Sequence, residues 1–256
     1  MANKEIFDKI VGKKEFSQLP KEDIERAFKC FEKRQCSDEE KIRLTRDLLR
    51  KVFSVFTSRK LLIPKVKGEE FVLKKHKSTE ERINYYNEVY SRLLGDIKSK
   101  KLSIIDLGAG VNGFSYNYFK KLGYNVDYLA IESMGQLVDL MNLYFKEEKM
   151  NARALHLSLF DLDKVKEEIK NMDKPRVIFL MKAIDSLEML EPNYSKKLIK
   201  EISPLADKIV LSFPTRSLNK RTKFKAGRYW ILTFLEENYK ILDDFELGGE
   251  RYVVFE

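Results

Sequence analysis

Two cysteines and two histidines are all that 256 residues provide. Cys30 and Cys36 are too few for a disulfide framework and are expected to be reduced thiols of a cytoplasmic protein. With only His76 and His156 to join them, no metal site is expected. No apolar run nears the ~20 residues that a membrane span needs. The opening stretch MANKEIFDKIVGKKEF has no apolar h-region, so no secretory signal is expected. Internal repeats and low-complexity tracts are also missing, which excludes solenoids and disordered tails.

What the chain does have is charge, unevenly placed. The net charge is +9, with 43% hydrophobic and 35% charged residues, a balance that fits a globular protein with a sizeable core. Residues 1–100 hold 25 Lys and Arg against 17 Asp and Glu, while the other 156 residues are nearly neutral at 24 against 23. The excess peaks in 41–77, with 12 basic and 3 acidic residues. A basic front end on a neutral body points to a polyanion partner; the plainer alternative is a lysine-rich solvated surface.

The first hundred residues carry helical patterns. PKEDIERAFKCFEKR opens on Pro20, suited to a first helical turn. SDEEKIRLTRDLLRKVFSVF has Ser37 as N-cap and an apolar face of Leu48, Leu49, Val52, Phe53 and Phe56. STEERINYYNEVYSRLLGDI places Ser78 and Glu81 at capping-box spacing, with Ile83, Tyr86, Tyr90, Leu93 and Ile97 continuing a helical repeat. SRKLLIPKVKGEEFVLKKHK is a basic connector in which short strands are expected. From Lys101 onward the texture alternates: LSIIDLG, VDYLAIES, ARALHLSL, RVIFLMK and KIVLSFP are strands, each followed by a helical stretch. At the end, two strand-like runs meet at Gly248-Gly249, a hairpin signal. The expected fold is an α/β sandwich whose last strand runs antiparallel to the rest.

The stretch DLGAGVNG places Gly108, Gly110 and Gly113 in G-x-G-x-x-G spacing at the end of the first strand. That is where an α/β sheet binds nucleotides. Glu132, 19 residues beyond Gly113 at the end of the second strand, suits the hydroxyls of an adenosine ribose. NAD and S-adenosylmethionine share that need. Asp106, just ahead of the glycines, favours the second, because a sulfonium and an ammonium attract a carboxylate and a pyrophosphate does not. Asp161, in LFDL after the third strand, is placed to accept from an adenine amine; as its alternative it is a helix N-cap. Asp106, likewise, has the alternative of only orienting the glycine loop.

Four stretches in order resemble the 16S rRNA (guanine-N7) methyltransferases of aminoglycoside resistance: HKSTEERI (76–83), DLGAGVNG (106–113), FLMK (179–182) and SFPTRSL (212–218). The resemblance covers about residues 70–256. It implies a class I, Rossmann-like methyltransferase sandwich with a seven-stranded mixed sheet and terminal β-hairpin. It divides the chain into a basic helical N-terminal subdomain, 1–77, for ribosome binding, and a methyltransferase domain, 78–256. It implies methyl transfer from S-adenosylmethionine to N7 of a guanine near the decoding site, with the small ribosomal subunit as partner and a cytoplasmic monomer as the enzyme. By position, Arg82 would grip the cofactor carboxylate, and Gly108, Ala109 and Gly110 would line its methionine moiety. Glu132, with Ser133, would hold the ribose, while Asp161 and Leu162 would frame the adenine. Met181 and Lys182 would close the site, with Lys182 and Arg82 as the catalytic candidates. His76 and the basic loop residues Arg216, Lys220, Arg221, Lys223, Lys225 and Arg228 would hold RNA, with Phe224, Tyr229 and Trp230 as stacking surfaces. Trp230 has the alternative of a core position, and that reading is preferred.

Two departures from the family pattern stand in the glycine loop. Ala109 replaces the usual cysteine. Gly113 replaces a proline, which is expected to make the loop more flexible. Guanine N7 already carries a lone pair, so the reaction needs alignment rather than a general base, and the base must be turned out of its stack. Methylation at another RNA position, and a non-catalytic ribosome-binding protein with a vestigial pocket, are the alternatives.

Overall fold

The computed structural model describes residues 2–54, 57–62, 68–215 and 228–256. Helices come first: α1 (Ala2–Val11), α2 (Lys21–Glu32), α3 (Asp38–Leu49), α4 (Glu69–Leu73), α5 (Lys77–Arg82) and α6 (Tyr86–Leu94). Ser37 caps α3 as its sequence implies, its Oγ accepting from the Glu40 amide at 3.3 Å. The α3 pattern does not run on as one regular helix: Arg50–Ser54 form a π-helical turn, which shifts the phase that carries Val52 into the core. In the basic connector, the strand expectation reduces to one isolated bridge, Thr57 to His76, among the described residues.

The capping-box reading of Ser78 is wrong. His76 is the N-cap of α5, and Ser78, inside the helix, points its Oγ at Arg82. The apolar repeat that looked like one helix is broken after Arg82, and α6 restarts at Tyr86.

The sheet then builds as β1 (Lys101–Leu107), β2 (Asn125–Glu132), β3 (Ala152–His156), β4 (Arg176–Met181), β5 (Lys208–Pro214), β6 (Ile241–Leu247) and β7 (Glu250–Phe255). Between them lie α7 (Tyr116–Lys121), α8 (Gly135–Glu147), α9 (Leu162–Lys170), α10 (Ile184–Leu190), α11 (Tyr194–Ile202) and α12 (Tyr229–Asn238), of which α10 has no counterpart in the sequence reading. The spatial order is β3-β2-β1-β4-β5-β7-β6. β1 to β5 pair in parallel, and β7 enters antiparallel between β5 and β6. Gly248 and Gly249 both have positive φ, 63° and 81°, the backbone that a two-residue type I′ hairpin needs.

Strands buried on both faces read as continuous apolar runs, yet the period of two still sorts them. Ile104, Tyr128 and Phe179 face one core; Ile105, Leu129 and Ile178 face the other. The first core does not stop at the sheet's own helices. It continues through Ile10, Phe16, Ile24 and Leu49 of the N-terminal segment, and α2 and the π turn pack on α10. The chain order reverses between β1 and β4, and a crevice opens there at the carboxyl ends of the strands.

Candidate active site

The glycine loop is shaped by its first two glycines. Gly108 and Gly110 have φ of 73° and 57°, in the left-handed region that a side chain resists. The amides of Gly108 and Ala109 both donate to the Ile131 carbonyl, at 2.9 and 3.2 Å, tying β1 to β2 at the crevice. Gly113 has a different duty from the expected flexibility. It lies buried in a 3-10 turn at ordinary φ, where a Cβ would meet Phe145 Cζ at 2.5 Å. The proline position is therefore a close-packing position, filled by the smallest residue.

Glu132 sits as expected at the end of β2, its Oε2 accepting from the Gly110 amide at 2.8 Å and its Oε1 from the Met134 amide at 2.9 Å. Burial pushes this carboxyl upward against those backbone hydrogen bonds. Asp106 is 1% exposed, and its Oδ2 accepts from Tyr128 Oη at 2.6 Å and Asn112 Nδ2 at 2.7 Å. It both orients the loop and lines the crevice; burial raises its pKa against the Tyr128 and Asn112 bonds.

Arg82 and Lys182 meet through Glu250, which sequence reasoning missed. Arg82 donates from Nη2 and Nε to the two Glu250 oxygens at 3.0 and 3.2 Å, and from Nη1 to Asn112 Oδ1 at 2.9 Å. Lys182 Nζ lies 3.1 Å from Glu250 Oε2 and 2.6 Å from Glu81 Oε2. Ser212 Oγ also donates to Glu250. Burial alone would raise the Glu250 pKa, but the two cations and these hydrogen bonds hold it below the ordinary value. Lys182 adopts φ of 58°, a strained backbone for a non-glycine residue, right after β4. It marks the site more sharply than its charge does.

His76, expected to hold RNA, lies inside the crevice and not on the surface. It is 7% exposed against Gly110, whose added Cβ would stand 2.7 Å from the His76 ring, and burial pushes its pKa down to about 3, with Arg82 and Lys182 adding to the shift. Asp161 is the N-cap residue of α9 and pairs with Lys164 at 2.6 Å; neither Asp161 nor Leu162 is among the residues lining the crevice. β3 ends at His156, earlier than its apolar run implied, so Leu159 and Phe160 belong to a loop and line the crevice instead. Ser133, Met181 and Ala109 line it as expected.

The N-terminal segment contributes to the crevice too. Asp23 of α2, and Val52 and Phe53 of the π turn, are part of its wall. Asp23 is 1% exposed, with Oδ1 accepting from Ser158 Oγ at 2.5 Å. Its signal in KEDIERAF was faint: it shares a helix face with Ala27, four residues on, but stands among Glu22 and Glu25 and reads as solvated.

Arg228 clamps Asp185 with Nε and Nη2, at 3.0 and 2.5 Å, and donates to the Pro214 carbonyl, so it anchors the start of α12. Arg216, Lys220, Arg221, Lys223, Lys225 and Phe224 lie outside the described residues. Trp230 is 37% exposed and Tyr229 75%, which overturns the core reading of the tryptophan. In the basic front end, Arg43 pairs with Glu40 and Asp47, and Arg50 with Glu15 and Asp47. Such exposed pairs contribute little to stability.

The crevice fits S-adenosylmethionine better than a dinucleotide. Three carboxylates line it (Asp23, Asp106 and Glu132), whereas its two strong cations are already held by Glu250 and Glu81. A pyrophosphate would meet three carboxylates and, on Arg82, only the single Nη1 donor left over; a cationic ligand finds acceptors. The sequence of residues 65–234 matches the family described as "Ribosomal RNA methyltransferase (FmrO)". The chain belongs to this family. Solved structures share its fold. The 16S rRNA methyltransferase RmtF, crystallised with S-adenosyl-L-homocysteine, is 20% identical, with 99% of this chain and 97% of that one covered at a TM-score of 0.78. The 16S rRNA methylase RmtB is 14% identical over 98% of both chains, TM-score 0.74. The 16S rRNA methylase ArmA is 25% identical over 74% of this chain and 90% of that one, TM-score 0.57. No curated protein sequence matches the chain. The class I methyltransferase sandwich, with β7 antiparallel in a seven-stranded sheet, is thus the architecture of this FmrO-family member.

Proposed function

We propose that this protein transfers a methyl group from S-adenosylmethionine to N7 of a guanine in small-subunit rRNA near the decoding site. The observation that carries the reading is the crevice itself: a β1 glycine loop latched to Glu132, lined by acceptors for a cationic adenosine ligand, in a chain of an rRNA methyltransferase family. S-adenosylmethionine supplies the electrophilic methyl group when bound. Glu132 would hold the ribose hydroxyls through the lone pairs left beside its two backbone contacts. Arg82, fixed by Glu250 and Asn112, would present its remaining Nη1 donor to the cofactor carboxylate.

The residues near Lys182 support a nucleophile that needs no proton removed. Burial keeps His76 neutral and a weak base, Asp106 is committed to Tyr128 and Asn112, and Lys182 is held by two carboxylates. Asp23 hangs over the end of β3, with β2 and β1 between it and the β4 end that carries Lys182. Guanine N7 suits such a site, because its in-plane lone pair is free at neutral pH and alignment does the work. RmtF, RmtB and ArmA are 16S rRNA enzymes by name, which supports the small subunit as substrate. Residues 1–77 would form the ribosome-facing part, with phosphate contacts that weaken as salt rises.

Purified 30S subunits incubated with labelled S-adenosylmethionine should acquire label in their RNA, and mapping should place it at a guanine N7. Label confined to protein or tRNA would refute the reading. Label at a different nucleotide would keep the rRNA enzyme and overturn the guanine-N7 assignment.

A further inference from the structure

Asp23 is a charged side chain that the proposed chemistry does not use and the sequence resemblance does not cover. It is 1% exposed, on the wall of the cofactor crevice, and its Oδ2 has no hydrogen bond of ordinary geometry, although the Ser133 hydroxyl stands near enough to lower the pKa of the carboxyl. A buried carboxylate oxygen left unpaired is costly, so a fold that keeps one has a use for it. The neighbouring cation acts on it only through space and pairs elsewhere. Arg26, one turn along α2, forms its ion pair with Glu191 beyond α10 and lies 4.4 Å over the Phe160 ring. Those contacts hold α2 against the crevice, and Ser158 holds the other oxygen of Asp23, so the carboxylate is aimed and cannot swing to solvent. Ser158 and Phe160 belong to the loop after β3, and Ser133 follows Glu132; this is the adenosine side of the crevice.

We propose that Asp23 is a cofactor-specificity residue carried in by the N-terminal helices, its Oδ2 accepting a hydrogen bond from the adenosine half of the cofactor, either the exocyclic amine or a ribose hydroxyl. The inference rests on the S-adenosylmethionine reading above. It makes the pocket incomplete without α2, so the segment that faces RNA also closes on the cofactor. The groups that act on Asp23 are Glu22 and Arg26 of its own helix, the Ser158 and Ser133 hydroxyls, Glu132 of β2 and Tyr194 of α11. Burial dominates and pushes its pKa up to about 6, so the acceptor form is lost in mildly acidic solution.

The test is calorimetric binding of S-adenosylhomocysteine to the full chain, which needs no turnover. Asp23→Leu should bind roughly 10- to 100-fold more weakly, the range for a hydrogen bond to a charged group. Its ligand-free melting temperature should not fall, because an unpaired charge has been removed. Asp23→Asn keeps an amide acceptor, so it should retain most of the affinity, and the weakening that the parent shows below about pH 6 should disappear. S-inosylhomocysteine, which lacks the amine, separates the two donors: if the amine is the partner, Asp23→Leu costs nothing further against that ligand; if a hydroxyl is, the full loss persists. Unchanged affinity in Asp23→Leu would overturn the proposal. So would a lowered melting temperature in Asp23→Leu together with an Asp23→Asn protein whose pH profile matches the parent, since that is a strut to Ser158 and no more. If Asp23→Leu does not fold, the Asp23→Asn profile decides alone. A parent protein that binds no S-adenosylhomocysteine at any pH would instead bring down the cofactor reading.

Discussion

Glu250 and Asp23 are buried to the same degree, 2% and 1% exposed, yet burial loses at one and wins at the other. Glu250 stands behind Arg82 and Lys182, and its pKa is held down by them. Asp23 stands on the far side of the crevice with hydroxyls for company and is pushed up to about 6. Degree of burial therefore says little about a carboxylate's state; the partners decide. The two sides also serve different ends. One is a closed ion cluster that fixes the wall near β4, and the other is an open acceptor that a ligand can complete.

The largest expected effect comes from opening the closed side. Glu250→Gln leaves Arg82 and Lys182 buried with one carboxylate removed, and breaking such a pair costs about 3–5 kcal/mol. Thermal or urea denaturation should show it, with methyl transfer also falling because Arg82 is no longer aimed. The pH dependence has a definite sign. Glu250 has a depressed folded pKa, so its contribution is full above the unfolded value of 4.5 and is lost as pH falls through the folded one. A melting temperature in the variant equal to that of the parent at pH 7 would mean that the cluster contributes nothing to stability.

Asp23→Asn should act in the opposite direction. A carboxyl raised from 3.8 to about 6 costs the ligand-free fold on the order of 3 kcal/mol once pH exceeds both values. The parent thus loses this stability as pH rises through that window, and the variant does not. The gain should be greatest near pH 8 and vanish toward pH 4. Asp106 and Glu132 are raised in the same direction, so only the difference between variant and parent isolates Asp23.

The same contrast explains what the sequence made legible. The sheet was readable because its central strands are dense in apolar and β-branched residues, and Gly248-Gly249 announced the hairpin. Glu132 and the glycine loop were readable because their positions follow from strand order alone. The ion cluster was not, since Glu250 lies 168 residues from Arg82 and opens β7, where a glutamate reads as a turn-edge residue. Ser78 misled because its spacing to Glu81 satisfies a cap, while Arg82, one turn along the same helix, donates to Ser78 and Lys182, from across the crevice, claims Glu81. Asp23 was hidden by its acidic neighbours. Asp161 drew notice because LFDL follows a run that reads as strand through Leu159, but β3 had already stopped at His156.

The smallest effect sharpens the comparison most. If the two carboxylates belong to separate electrostatic units, combining Glu250→Gln with Asp23→Asn should give the sum of the single changes within about 0.5 kcal/mol, as for sites without shared partners. Asp23 bonds to Ser158, whereas the Arg82–Glu250–Lys182 cluster is held by Asn112, Ser78, Glu81 and Ser212, so the two groups have no partner in common. Measured by denaturant titration at pH 7, additivity in the ligand-free protein would establish two independent sides. Repeating the cycle with S-adenosylhomocysteine bound should introduce a coupling term, because one ligand would then touch Arg82 at one end and Asp23 at the other. Additivity in both states would mean that the ligand does not span the crevice, and the roles given to Arg82 and Asp23 could not both stand.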